Sequence, residues 1–384
     1  GTNNAALGNN ALKETTSATN NTALGSNALK LNTTGNSNTA IGKDSLFSNT
    51  SGIDNVAVGK DSLYTNTANY NTAVGKNALY SNTTANSNTA VGYNSLGLNT
   101  TGYSNTAVGS NALDANQTGN SCTAVGFNAL TASTGNNNTA IGRSTLEACT
   151  TGFSNVAIGR GVLATNTTGN YNVGIGLNAL TFSTTASDNT AVGKSALQQN
   201  TTGTSNVALG FDALMGNTTA SNNTGIGYYV LKSNTTGTQN TAVGRSALQL
   251  NTSGSKNVAV GSMALNFATT ASNNTAVGNS ALAVNTTGTS NVAVGSQALD
   301  ANQTGNYNTA VGHHSLGATT GSRNTGVGYA SLLVNTTGTH NTAIGSQALY
   351  VNSTASNNTA IGSAALTANT TGSNSTAVGS DALL

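Results

Sequence analysis

Five residues, Asn-Thr-Ala-Val-Gly, return with small changes from one end of the chain to the other, and their spacing leaves few folds open. The motif is first complete in outline at Asn21–Gly25, and its closing glycine falls at Gly8, Gly25, Gly42, Gly59, Gly75 and onward to Gly379. That makes 23 copies spaced by 17 residues, with three intervals of 16 that end at Gly75, Gly142 and Gly328. So short a fixed period marks a stack of repeated units, each burying the apolar face of the next. No composition change or linker interrupts the beat, so residues 1–384 read as a single continuous repeat domain. Both ends fall inside the pattern without a capping unit, and the expectation is a segment of a longer fibre.

With the motif glycine as position zero, the residue before it is Val, Ile or Leu in every copy. The residue two before is Ala, or Gly at Gly174, Gly225 and Gly326; three before is Thr or Val, except for Ala5. Asn stands four before, except at Cys122 and Ser375, and Leu stands four after without exception. A β-branched residue, a tiny one and an aliphatic one make a period-2 strand. The Thr and Val positions share one face and Ala takes the other. Val is expected to line the core, with Ala outward. The pair Ala28-Leu29 and its equivalents read as a second short strand, and Asn32-Thr33-Thr34-Gly35 as turn chemistry. Ala85, Ala186 and Ala271 replace glycine at the Gly35 position, which argues against a left-handed backbone there.

The fold class is therefore all-β, a parallel β-solenoid or β-roll of about 23 coils with no helices. Coils rise by about one strand spacing, roughly 4.8 Å, which predicts a rod of about 110 Å. Identical side chains then stack on themselves, and amides of stacked Asn residues can bond one another. Two such ladders are expected, one through Asn38, Asn55, Asn71 and Asn88, the other through Asn32, Asn49, Asn66 and Asn82. The 16-residue coils should lose their residue in the turn half. Phe182 and Phe267 share a slot beside lost ladder residues (Ser183, Ala268), which predicts rings swung into the core.

Two large apolar side chains per coil, each contributing roughly 1.5–3 kcal/mol on burial, fall short of ordering 17 residues at about 1.5 kcal/mol each. The Ala position, never larger, suggests cover by a neighbouring chain. A homotrimer is favoured, with a single-chain solenoid of tight interior as the alternative.

The motif Asn-Thr-Ala-Val-Gly followed by Ala-Leu resembles the head repeats of trimeric autotransporter adhesins. The unit Asn71–Thr84 is closer still to tail-fibre-like repeats of phage-related and bacterial surface proteins. The head repeats are shorter, near 14 residues, and lack the Asn-Thr-Thr-Gly insert. The resemblance implies a trimeric fibre shaft or adhesin that is extracellular, on a cell surface or on a virion.

Chemistry is scarce. Only 6% of residues are charged and the net charge is +2, so nucleic acid and anionic membrane find little attraction. No apolar run is long enough to span a membrane. The ten acidic residues form no recurrent pair, Cys122 and Cys149 suggest neither a disulfide nor a metal site, and His313 and His314, on a strand, would face opposite ways. No enzyme, metal or cofactor is expected. One surface strip stands out, because Phe47, Tyr64 and Tyr80 occupy one slot in three consecutive coils. They should stack about 5 Å apart, either stabilising the shaft or gripping a glycan or protein receptor. Asn-x-Ser/Thr sequons at Asn32, Asn49, Asn82, Asn99 and Asn166 follow from the repeat. Thr rows suggest ice binding less strongly, since Thr is placed on the Val-lined core face. The reading is a non-enzymatic structural shaft, with a glycan- or surface-binding adhesive module as the alternative.

Overall fold

Each coil contributes one three-residue strand, and the strands pair in parallel with their equivalents in neighbouring coils. The structure, a computed structural model, describes residues 1–383. The chain divides into two compact units, Gly1–Asn189 and a second that begins at Thr190. The first holds β1 (Ala5–Leu7) to β11 (Val173–Ile175), the second β12 (Thr190–Val192) to β23 (Thr376–Val378). Both are parallel β-solenoids, with no helix among the described residues. The register matches motif to motif. Between β5 (Thr72–Val74) and β6 (Thr89–Val91), Thr72 pairs with Thr89, Ala73 with Ala90 and Val74 with Val91.

The motif glycine ends each strand. Gly92 has φ of +140°, and a Cβ there would collide with the Gly109 carbonyl. Conformation and space both require glycine. By contrast Gly35, Gly52 and Gly102 keep negative φ, consistent with the alanines that replace them.

The facing of the strand is the reverse of the sequence expectation. Ala73 and Ala90 are completely buried in the coil's own interior, whereas Val74 and Val91 are each 37% exposed. The coil is too narrow for a β-branched residue opposite the repeat Leu, which is fully buried at Leu79 and Leu96. Volume compensation shows how tight the interior is. Where Ala becomes Gly174, a Cβ would stand 2.5 Å from Val162 Cγ1; at Gly225 it would stand 3.1 Å from Val230 Cγ1. Val162 and Val230 occupy the place usually held by Ala or Ser before the Leu. At Gly326 two hydroxyls use the room: Ser315 Oγ donates to Gly326 O at 2.9 Å and lies 2.9 Å from Ser331 Oγ. Hence the restriction to Ala is explained within one chain, and it no longer argues for a covering neighbour.

The expected second strand is absent. Ala28-Leu29 and its equivalents lie in turns, and the Leu takes a left-handed backbone, φ +50° at Leu96. A left-handed residue in each coil prevents a continuous extended segment. The coils are still bonded there, since Leu79 N–H donates to Ser95 O and Leu96 N–H to Ala112 O, both at 3.0 Å.

Both Asn ladders form, fully buried. In the first, each backbone N–H donates to the preceding Asn side chain: Asn55 to Asn38 Oδ1 (3.0 Å), Asn71 to Asn55 Oδ1 (2.9 Å) and Asn88 to Asn71 Oδ1 (3.0 Å). The second links amides directly, Asn49 Nδ2 to Asn32 Oδ1 (3.0 Å) and Asn82 Nδ2 to Asn66 Oδ1 (2.7 Å), but between these rungs Asn66 Nδ2 bonds Ala68 O and Asn49 Oδ1 is buried without a protein partner. The 16-residue coils shorten the turn, as anticipated. Asn66 Nδ2 reaches Ala68 O two residues on, whereas Asn49 Nδ2 reaches Gly52 O three residues on.

Phe182 and Phe267 are 48% and 44% exposed, so neither ring enters the core. The changes beside them act inside the second ladder, where Ser183 and Ala268 are buried in place of Asn. Each break strands an acceptor. Asn166 Oδ1 and Asn251 Oδ1, in the coils before Ser183 and Ala268, are buried without a protein partner.

Candidate functional site

The outer side of the strands is a regular surface in each unit. Its Val, Ile or Leu row is unbroken in sequence, and Ile41, Val74, Val91 and Val108 are 37% exposed. Beside it runs the part-exposed row of Thr72, Thr89, Thr106 and Thr123, with Val at Val56, Val156 and Val207. Rows rise by one strand spacing per coil, roughly 4.8 Å. The earlier objection to a Thr array is removed, because Thr and Val share the solvent side.

The aromatic strip stands where the period puts it. Ring centroids are 5.1 Å apart for Phe47–Tyr64 and 5.2 Å for Tyr64–Tyr80, with planes tilted by 7° and 10°. Lys30 Nζ covers the outer face of Phe47 at 5.2 Å. The same slot in the next coil is Gly97, so no ring covers the far side of Tyr80. A hollow of about 200 Å³ opens there, lined by Asn77, Tyr80, Asn94, Gly97, Leu98 and Asp114. Burial raises the Asp114 carboxyl above its ordinary range, and among the described residues it has no ion-pair partner. Burial is also the first cause raising the Tyr64 phenol, followed by Tyr80, Asp44 and Asp61.

A second aromatic group lies in the second unit. Phe211 stacks on Tyr228 at 5.3 Å, and Tyr229 sits 4.0 Å from Tyr228. Cations close this group: Lys194 Nζ is 5.2 Å from the Phe211 ring, and Lys232 Nζ is 4.0 Å from Tyr229. Lys232 also pairs with Asp212 at 3.1 Å.

His313 and His314 do not face opposite ways. They lie in a turn with rings 4.1 Å apart, edge to face, and His313 stacks on Tyr329. His340 lies 3.3 Å from an Arg323 guanidinium nitrogen. Among the described residues no three His, Cys, Asp or Glu side chains gather as a metal site would need. Cys122 and Cys149 are buried free thiols in the Asn ladders, and burial pushes Cys122 up to about 11. Such a thiol is a poor nucleophile. The sequon residues Asn32, Asn49, Asn82, Asn99 and Asn166 are ladder members with no exposed surface, so the folded chain offers none of them for glycosylation.

Fold and surface define a charge-poor parallel β-solenoid repeat protein. Compared with family models and with curated proteins, the chain matches none.

Proposed function

We propose that the chain is a structural shaft segment of an extracellular or virion-attached fibre, packing laterally against copies of itself. The observation behind this reading is the unbroken aliphatic row on the solvent side, where a monomer has no use for it. Covering the exposed part of each Val contributes roughly 0.5–1 kcal/mol. The eleven strands of the first unit then supply a total comparable with the cost of association, about 4–15 kcal/mol. The gain grows with every coil whereas that cost is met once, so a long repeat suits lateral assembly. The homotrimer remains the proposed state, resting now on the Val row.

Mass measurement of the full chain in solution tests this. A trimer is expected, reduced to monomer by the outward pair Val91→Lys and Val108→Lys while the strand circular dichroism persists. A wild-type chain that stays monomeric at every concentration overturns it.

A second reading has its own observation, the outward parallel rows of Thr beside Val. A flat, charge-poor, regularly spaced Thr array can order water as an ice-binding plane. Thermal hysteresis that is lost on Thr89→Lys and Thr106→Lys, in a monomeric chain, would favour this reading over the shaft.

A further inference from the structure

Both aromatic groups described above are met by a cation, and the one uncovered ring face in the Phe47 strip looks across a gap at a carboxylate. We propose that the hollow between Tyr80 and Asp114 is a binding site for an alkylammonium group, such as the side chain of a partner's lysine. The proposal is independent of the lateral packing face.

The gap is one rung of the strip. Tyr80, Gly97 and Asp114 hold the same slot in successive coils, so the backbone positions that carry ring and carboxylate are two strand spacings apart, roughly 10 Å. A group centred between them sits about 5 Å from the ring, within the ~6 Å reach of a cation–π contact. The Asp114 side chain leans into the gap, for a Cβ on Gly97 would stand 2.7 Å from Asp114 Oδ1. An ammonium there could donate to that oxygen while resting on the Tyr80 face. Asn77 Nδ2 donates to Asn94 Oδ1 at 3.0 Å, which fixes the polar side wall. The hollow, about 200 Å³, is smaller than the roughly 300–1,000 Å³ of a drug-sized pocket, so a single small group fits.

The molecule itself shows what such a pair holds. Lys232 Nζ lies between the Tyr229 ring at 4.0 Å and Asp212 at 3.1 Å. At the other end of the strip Lys30 caps Phe47. Tyr80 and Asp114 offer the same two partners without the lysine. Gly317, the other glycine in this slot of the repeat, makes the contrast. Its gap is taken by Leu333, whose Cδ1 would stand 2.7 Å from a Cβ on Gly317. A part-buried carboxylate without a cation is costly to leave so, and an incoming ammonium removes that cost. An acidic ligand would be repelled by Asp114.

The test is an NMR titration of the full chain with n-butylammonium at constant ionic strength, read at the Gly97 and Leu98 amides, with methyl glucopyranoside as the neutral control. Saturable millimolar binding of the ammonium is expected, weakened roughly five-fold by Asp114→Asn and by Tyr80→Ala. Gly97→Tyr should abolish it. That variant continues the ring stack, Gly97 has no left-handed φ, and a Cβ there first meets the end of the Asp114 side chain at 2.7 Å, with Asn94 O next at 3.3 Å. Retained strand dichroism and melting for each variant separate lost binding from lost fold. Saturation by the glucoside and not by butylammonium, or ammonium binding indifferent to all three substitutions, would overturn the assignment.

Discussion

Ala90 and Val91 are neighbours in one strand, yet one is sealed in the coil and the other is 37% open to solvent. The inner side carries the smaller residue and almost all the constraint. It holds Ala, the invariant Leu, two Asn ladders and a glycine that admits no Cβ. The outer side carries the larger residue, and Thr and Val exchange freely there, as at Val56 and Val156. In a coil this narrow, available volume decides the inside, and hydrophobicity is what remains for partners outside. The same contrast separates the two aromatic groups. Lys194 and Lys232 close the Phe211 group, whereas the Phe47 strip is closed by Lys30 at one end only.

The sharpest way to break this contrast is to truncate one residue on each side. Leu96→Ala should cost about 2–5 kcal/mol, because the Leu is fully buried and its neighbours cannot collapse around the cavity. Val91→Ser, on the outer side and 37% exposed, should stay within about 0.5 kcal/mol in the monomer. Chemical denaturation of both variants under conditions that keep the chain monomeric gives the comparison directly. Equal losses would mean that the outer row is structural after all.

A gain of function on the inner side comes next in size. Asn251 Oδ1 is buried without a protein partner because the next ladder place is Ala268. Ala268→Asn restores the donor that Asn49 gives Asn32 elsewhere. It should stabilise by about 1–2 kcal/mol, since leaving a buried acceptor unmade costs about that much. Phe267 next door is exposed and does not itself occupy the interior place. A melting temperature lowered by this substitution would show that the second ladder is interrupted there for a steric reason.

How much of this was legible in the sequence follows from the same two sides. The period fixed the parallel register, both ladders, the shortened turns and the 5 Å aromatic strip, because a strict repeat places like upon like. Facing was not legible from Thr-Ala-Val alone. Three alternating residues define two sides without saying which is inside, and the greater hydrophobicity of Val pointed the wrong way. A signal was present in the pairs Gly174 with Val162 and Gly225 with Val230, where a lost methyl is answered by a larger partner. Only residues sharing an interior trade volume in this way. The left-handed Leu could not be foreseen, because Leu seldom adopts that conformation. The blank at Gly97 was visible as a glycine in the aromatic slot. That Asp114 leans across it, and that Leu333 fills the corresponding blank at Gly317, are facts of side-chain direction.

The smallest effect concerns that blank. Burial raises the Asp114 carboxyl above its ordinary 3.8, so the folded chain keeps this proton to a higher pH than the unfolded chain does. Between the two values the folded state binds more protons, and stability therefore falls as pH rises through that window. Above it the ionised carboxylate carries its full desolvation penalty. Asp114→Asn should thus be slightly more stable than the parent at neutral pH, on the order of a few tenths of a kcal/mol after solvent screening. The difference should vanish at acid pH, where the parent carboxyl is protonated in both states. Urea midpoints of both chains across the acid range measure this. Saturating butylammonium should cancel the difference at neutral pH, because an ammonium between Tyr80 and Asp114 favours the ionised carboxylate that burial disfavours. A difference unchanged by butylammonium would leave Asp114 a carboxylate at a cost to the fold, and would return the open end of the strip to a purely structural role.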